Sequence, residues 1–130
     1  MKTKQLKLFI FFGLITLMAC SSNKMGLNNP IDVSVIGTEY SLDIKKGDKN
    51  YTGKYITVVG EISQYYQNKF QENILILMGN DKKQGAKCTL VKSTKPLDRP
   101  FKLGETIKIN GKCTGFNEFV LLSGCIILKE

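Results

Sequence analysis

"ETIKINGKCTGFNEFVLLSGCIILKE", Glu105 to Glu130, reads as two strands folded about a tight turn near Asn117. Ile107, Ile109 and Cys113 recur on one face of the first strand, the period-two pattern of a half-buried strand. The second strand, rich in leucine and isoleucine, carries the chain to its last residue.

Three more strand-like runs lie upstream. "KYITVVGEISQYY" places Ile56, Val58 and Ile62 on one face and sets Gly60 where a strand can bend strongly. "ENILILMG" is a short apolar strand closed by the turn-rich "GNDKKQG", and "AKCTLVK" follows it. "STKPLDRPFKLG", with two prolines, then breaks the pattern before the final pair. Five strands with an irregular or briefly helical connection between the third and fourth match the order of an OB-fold, whose ligand face lies on strands two and three and the loops joining one to two and four to five. On pattern alone, SH3-like barrels and partial sandwiches share this strand count.

Ahead of the strands, "IDVSVIGTEYSLDIKK" spaces Val33, Ile36, Tyr40 and Ile44 as one helix face, with Gly47 as its stop. The expected architecture is therefore mainly β, a five-stranded OB-fold Greek-key barrel with one short N-terminal helix that covers an open end.

The chain begins "MKTKQLKLFIFFGLITLMACSSN", with Lys2, Lys4 and Lys7 before an apolar run from Leu8 to Ala19. That run is shorter than the ~20 residues a membrane-spanning helix needs, as an export signal is. "LMAC", Leu17 to Cys20, resembles the lipobox of bacterial lipoproteins. The resemblance implies cleavage after Ala19, diacylglycerol on the sulfur of Cys20 and a further acyl chain, such as palmitate, on its new amino group. Two or more acyl chains anchor a protein durably to a membrane. The expected organisation is a lipoprotein signal peptide over 1–19, a lipidated cysteine and flexible tether over 20–32, and the OB-fold domain over 33–130, held at the cell envelope, at the outer membrane.

Without residues 1–19 the chain has 111 residues, enough for one small domain. It then carries 16 basic side chains against 11 acidic ones, a net charge of +5. Lysines outnumber arginine eighteen to one, which suits a solvated surface better than bidentate phosphate or base recognition.

A family resemblance rests on four pieces: "YTGKYITVVGEI" (Tyr51 to Ile62), "GAKCTL" (Gly85 to Leu90), "LGETIKINGKCTGF" (Leu103 to Phe116) and "VLLSGCII" (Val120 to Ile127). Together they resemble the tRNA anticodon-binding-like OB-fold family, found largely among bacterial lipoproteins and small envelope proteins. What the resemblance implies is a fold, not an activity. The proline-broken "KSTKPLDRP" departs from it and puts the usual OB helix at that point in doubt.

With Cys20 given to lipid, Cys88, Cys113 and Cys125 remain. No C-x-x-C pair and no histidine is present, so neither a structural zinc set nor a histidine-assisted cysteine nucleophile can be assembled. A simple hairpin about Asn117 sets Cys113 and Cys125 four residues out of register, about 13 Å apart and too far for a bridge. Cys88 on the third strand can instead meet Cys125, or all three can be buried core thiols. A Ser-His-Asp set is impossible, and no phosphate-binding glycine loop or paired-carboxylate motif appears. The chain reads as a non-enzyme without cofactor or metal.

The candidate ligand site is "SQYYQNKFQEN", Ser63 to Asn73, as the loop between strands one and two. Tyr65, Tyr66, Lys69 and Phe70 there would form an aromatic and cationic platform, with Phe116 and Asn117 in the other ligand-side loop. The expected function is a lipid-anchored binding module for an envelope protein or glycan. The alternatives are a single-stranded nucleic-acid-binding domain displayed outside the cytoplasm, and an envelope spacer with no small ligand.

Overall fold

The computed structural model describes residues 29–92 and 101–128. The expected signal peptide, Cys20, most of the tether and the proline-broken connection lie outside them. Among the described residues, β1 (Ile31–Asp32) leads into α1 (Val33–Leu42) and α2 (Ile44–Tyr51). Five strands follow: β2 (Tyr55–Gln67), β3 (Asn73–Met78), β4 (Gly85–Leu90), β5 (Thr106–Asn117) and β6 (Phe119–Leu128).

The sheet closes on itself. Strand order is β1-β2-β3-β4-β6-β5, and β2 pairs again with β5. β2 can serve two neighbours because it is long: its first half, Tyr55 to Glu61, pairs with β5, and its second half, Glu61 to Gln67, pairs with β3. β4 and β6 run parallel, and the other barrel pairs are antiparallel. This is the five-stranded OB barrel expected from the strand pattern. Closure removes the exposed edges that an open sheet of this size would present.

Inward residues of every strand, among them Ile56, Val58, Ile62, Leu75, Leu77, Cys88, Ile109, Val120 and Leu122, form one buried core. Three bulges reset which residues face it. In β2 the register shifts between Ile62 and Gln64, in β5 between Cys113 and Gly115, and in β6 the residues between Leu122 and Cys125 outnumber their partners on β4. Each extra residue swaps inner and outer faces for everything after it.

The helical prelude differs from expectation. Two helices stand where one was expected, broken at Asp43, whose extended backbone (φ −158°) ends α1 and whose carboxylate accepts from Lys46 N at 3.2 Å to start α2. An aspartate that caps a new helix competes with continuing the old one. Gly47 is accordingly no stop: it lies inside α2, buried under the Tyr40 ring, where a Cβ would come within 2.3 Å of Tyr40 Cδ1. Ile44, expected on the buried face, is exposed. Just ahead of α1, Ile31 and Asp32 pair with Val58 and Val59.

Asp32 ties this prelude to the barrel. Its Oδ1 accepts from Ser34 N at 2.9 Å, capping α1, and from Asn80 N at 3.1 Å in the β3–β4 turn. Burial alone would raise its pKa, but the bonds from Ser34 and Asn80 outweigh that and hold it below 3.8. Asp32→Ala is expected to cost about 1 kcal/mol at neutral pH, as N-cap losses do. Because the folded-state pKa is depressed, the contribution is present above the ordinary carboxylate value and is lost as pH falls through the folded one. Urea midpoints of wild type and variant should therefore differ at pH 7 and converge as the pH falls through the depressed pKa of the Asp32 carboxyl group.

Candidate functional site

Outward-facing residues of four strands line up in one row: Gln64 on β2, Ile76 on β3, Lys87 on β4 and Leu121 on β6. Tyr66 stands one step along β2, opposite Ile74. Asn117, Glu118 and Phe119, at the turn from β5 into β6, wall one end. The result is a groove of about 540 Å³ across the outer face of the barrel, lined by these side chains.

Its floor is apolar. Ile74 and Ile76 are buried although they point away from the barrel core. Its walls are aromatic and amide-bearing, from Tyr66, Phe119, Gln64 and Asn117. Phe119 lies close against β4 because Gly85 has no side chain there: a Cβ would meet Phe119 Cδ1 at 3.0 Å. One cation, Lys87, and one carboxylate, Glu118, complete the lining.

Glu118 joins β5 to β6 with φ 66°, a left-handed conformation that glycine adopts far more readily. A strained non-glycine residue at a groove mouth is a place where stability is exchanged for a functional group. Glu118→Gly relieves about 1–2 kcal/mol of left-handed strain but adds about 0.5–1 kcal/mol of chain entropy to the unfolded state, so the domain should gain roughly 0.5–1 kcal/mol by urea unfolding while losing the groove carboxylate found among the described residues.

The site residues expected from the sequence separate on the structure. Tyr66 and Asn117 line the groove. Lys69 and Phe70 sit together in the β2–β3 connection, the ammonium 5.2 Å from the ring centroid. Ser63 to Gln67 belong to β2, so that connection is Asn68 to Glu72 only, shorter than expected. Asn68 holds it, accepting from Phe70 N and Glu72 N at 2.9 Å each.

Tyr65 and Phe116 do not line the groove. The bulge at Ser63 turns Tyr65 toward the barrel interior side, where it pairs with Leu75 and packs on Phe101 with ring centroids 4.5 Å apart. The bulge at Gly115 (φ 143°) likewise turns Phe116 inward, opposite Val120, and stacks it on Tyr40 at 5.2 Å. Phe116 packs against the barrel core, and Tyr65 remains 46% exposed beside Phe101. Gln64, Ile76, Lys87, Glu118, Phe119 and Leu121 were missed as site residues. Strict alternation within "GAKCTL" and "FVLL" does aim Lys87, Phe119 and Leu121 outward, so that signal was present.

The three remaining cysteines are buried thiols, not bridged in the structure. Among the described residues no group of three or more His, Cys, Asp or Glu is placed to hold a metal ion.

Residues 1–126 match the tRNA_anti-like family. A solved structure from Klebsiella pneumoniae subsp. pneumoniae MGH 78578, called a "putative nucleic acid-binding lipoprotein", superposes with a TM-score of 0.66 at 15% identity, over 78% of this chain and 92% of that one. At that identity the likeness is one of fold. No curated protein matches.

Proposed function

This chain belongs to the tRNA_anti-like family, and from that premise we propose that it is a lipid-anchored, non-enzymatic OB-fold module of the bacterial cell envelope that binds a glycan chain along the outer groove. The anchor reading rests on the lipobox at Cys20 and is supported by the fold it shares with a lipoprotein.

The observation that carries the ligand class is the lining of the groove. A nucleic-acid strand presents one phosphate per nucleotide, and its grooves are correspondingly cationic. Among the described residues the groove lining holds one lysine, Lys87, and one carboxylate, Glu118. Sugar rings instead offer apolar faces that stack on aromatics and hydroxyls that both donate and accept. Tyr66 and Phe119 supply the stacking surfaces, and the Gln64 and Asn117 amides and the Glu118 carboxylate supply the polar partners. OB barrels bind oligosaccharides on this same face.

A second reading draws on one specific feature. Lys69 over the exposed Phe70 ring makes a cationic and aromatic tip on which a base could stack. Titrating the chain with uncharged linear oligosaccharides and with short single-stranded DNA and RNA, each at low and physiological salt, separates the two. Saturable oligosaccharide binding that changes little with salt is the expected result. Oligonucleotide binding that falls steeply with salt, without sugar binding, would assign the groove to nucleic acid.

A further inference from the structure

A second outer face is built on β1, β2, β5 and β6, and none of its residues lines the groove. Asp32, Val59, Lys108 and Leu128 form one cross-strand row, and Thr57, Asn110 and Ile126 form the next. Tyr55 stands opposite Lys112 a step further along. Buried Val58 and Ile109 alternate with these positions, so Val59, Lys108, Asn110 and Lys112 face outward.

Tyr55, Ile126 and Leu128 are 56%, 48% and 38% exposed. Lone exposed apolar side chains are ordinary on a protein surface, but these three share one sheet face with exposed Lys108 and Lys112. Lys54, a third exposed lysine, directly precedes Tyr55. Among the described residues these four strands carry two carboxylates, and both are engaged: Asp32 accepts from Ser34 N and Asn80 N, and Glu61 is ion-paired with Lys82. At the centre, Asn110 Nδ2 donates to Thr57 Oγ1 at 3.1 Å. The face is therefore cationic and apolar at once.

The start of the chain selects the occupant. β1, the first element of the barrel unit, is also the outer strand of this sheet. Ten residues, 21–30, separate Cys20 from β1 and span at most about 35 Å. A lipid on Cys20 keeps the edge of this face within that distance of the membrane, where even a weak contact forms readily because the encounter is intramolecular. Lysines, a tyrosine and aliphatic side chains on one face are the set that rests at a headgroup layer, apolar stems inward and ammonium groups at the phosphates. A second copy of the chain fits poorly, since two-fold pairing of the face would set lysines against lysines.

We propose that this face docks on the anionic phospholipid surface that holds the anchor, leaving the groove open to its ligand. The proposal rests on the lipid-anchor reading.

The chain contains no tryptophan, so Tyr55→Trp sets a unique fluorophore on this face and Tyr66→Trp sets one in the groove. Each full-length variant, extracted from cells, is reconstituted in vesicles of phosphatidylcholine with about one third phosphatidylglycerol, whose brominated acyl chains quench tryptophan on contact. Quenching and a blue shift of Tyr55→Trp are expected at low salt, fading at high salt as the lysine attraction is screened. Tyr66→Trp should stay unquenched. Adding Lys108→Gln and Lys112→Gln to Tyr55→Trp should lower the ratio of docked to undocked protein on the order of 30-fold, about 5-fold per lysine, at an unchanged urea midpoint. An unquenched Tyr55→Trp, or quenching that is equal in pure phosphatidylcholine or equal without the two lysines, would overturn the proposal. Quenching of Tyr66→Trp in place of Tyr55→Trp would overturn it too, because the groove would then face the lipid. The mass of the N-terminal peptide tests the anchor separately. A Cys20 without acyl chains overturns the anchor reading, and quenching of Tyr55→Trp by added vesicles then decides the face by itself.

Discussion

Tyr40→Ala is expected to destabilise the barrel by about 3–5 kcal/mol, read as a drop in the urea midpoint at unchanged slope. That is a large share of the roughly 5–15 kcal/mol a domain of this size has in total. The ring is 0% exposed and shared by three elements. It stacks on Phe116 of β5 at 5.2 Å with 9° between the planes, lies 6.0 Å from the Tyr51 ring, and fills the space left open at Gly47. Alanine would leave both helices and Phe116 facing a cavity that rigid strands cannot collapse. The hydroxyl matters less: it hydrogen-bonds with Thr52 Oγ1 at 2.6 Å and with Cys113 Sγ at 3.3 Å. Tyr40→Phe keeps the ring and should cost about 0.5–1.5 kcal/mol. Equal losses for the two variants would contradict the packing account, because the shared ring would then contribute nothing beyond its hydroxyl.

Tyr66→Ala is expected to weaken ligand binding about 10–100-fold, as loss of one stacking platform does, corresponding to ~1–3 kcal/mol by isothermal titration. Its stability should stay within about 0.5 kcal/mol of wild type, since the side chain lies on the outer face and 39% of it is exposed. Tyr65→Ala should do the reverse. Tyr65 is itself 46% exposed but packs its ring on Phe101, so its removal loses that ring contact, about 0.5–1.5 kcal/mol, and leaves affinity near wild type. Adjacent tyrosines with opposite consequences are the direct result of the bulge between Ile62 and Gln64. If Tyr65 carried the affinity and Tyr66 the stability, that bulge would not set the faces as described.

Strand alternation carried most of the fold. Ile56, Val58 and Ile62 face the core as expected, the turn at Asn117 lies within a residue of Glu118, and five strands close into the barrel. What alternation could not supply is the position of the bulges. An extra residue leaves no mark in a hydrophobic pattern when small or polar residues such as Ser63, Gly115 and Ser123 absorb it, yet it inverts every side chain beyond. Tyr65 and Phe116 were expected as loop residues; both lie within strands, on the face turned away from the groove. The same effect undid the simple hairpin arithmetic for the cysteines, because Cys125 reaches the core through a register shift. The second helix was hidden for another reason: Gly47 has the sequence appearance of a stop, and only Tyr40, seven residues away, makes its lack of a side chain a packing requirement.

The groove is the central claim, and amide chemical-shift mapping during titration with an uncharged linear oligosaccharide tests it most directly. Perturbations concentrated at Gln64, Tyr66, Ile76, Lys87 and Asn117 to Leu121 are the predicted result. Perturbations centred on the opposite outer face, at Tyr55, Lys108, Asn110 and Lys112, would contradict it.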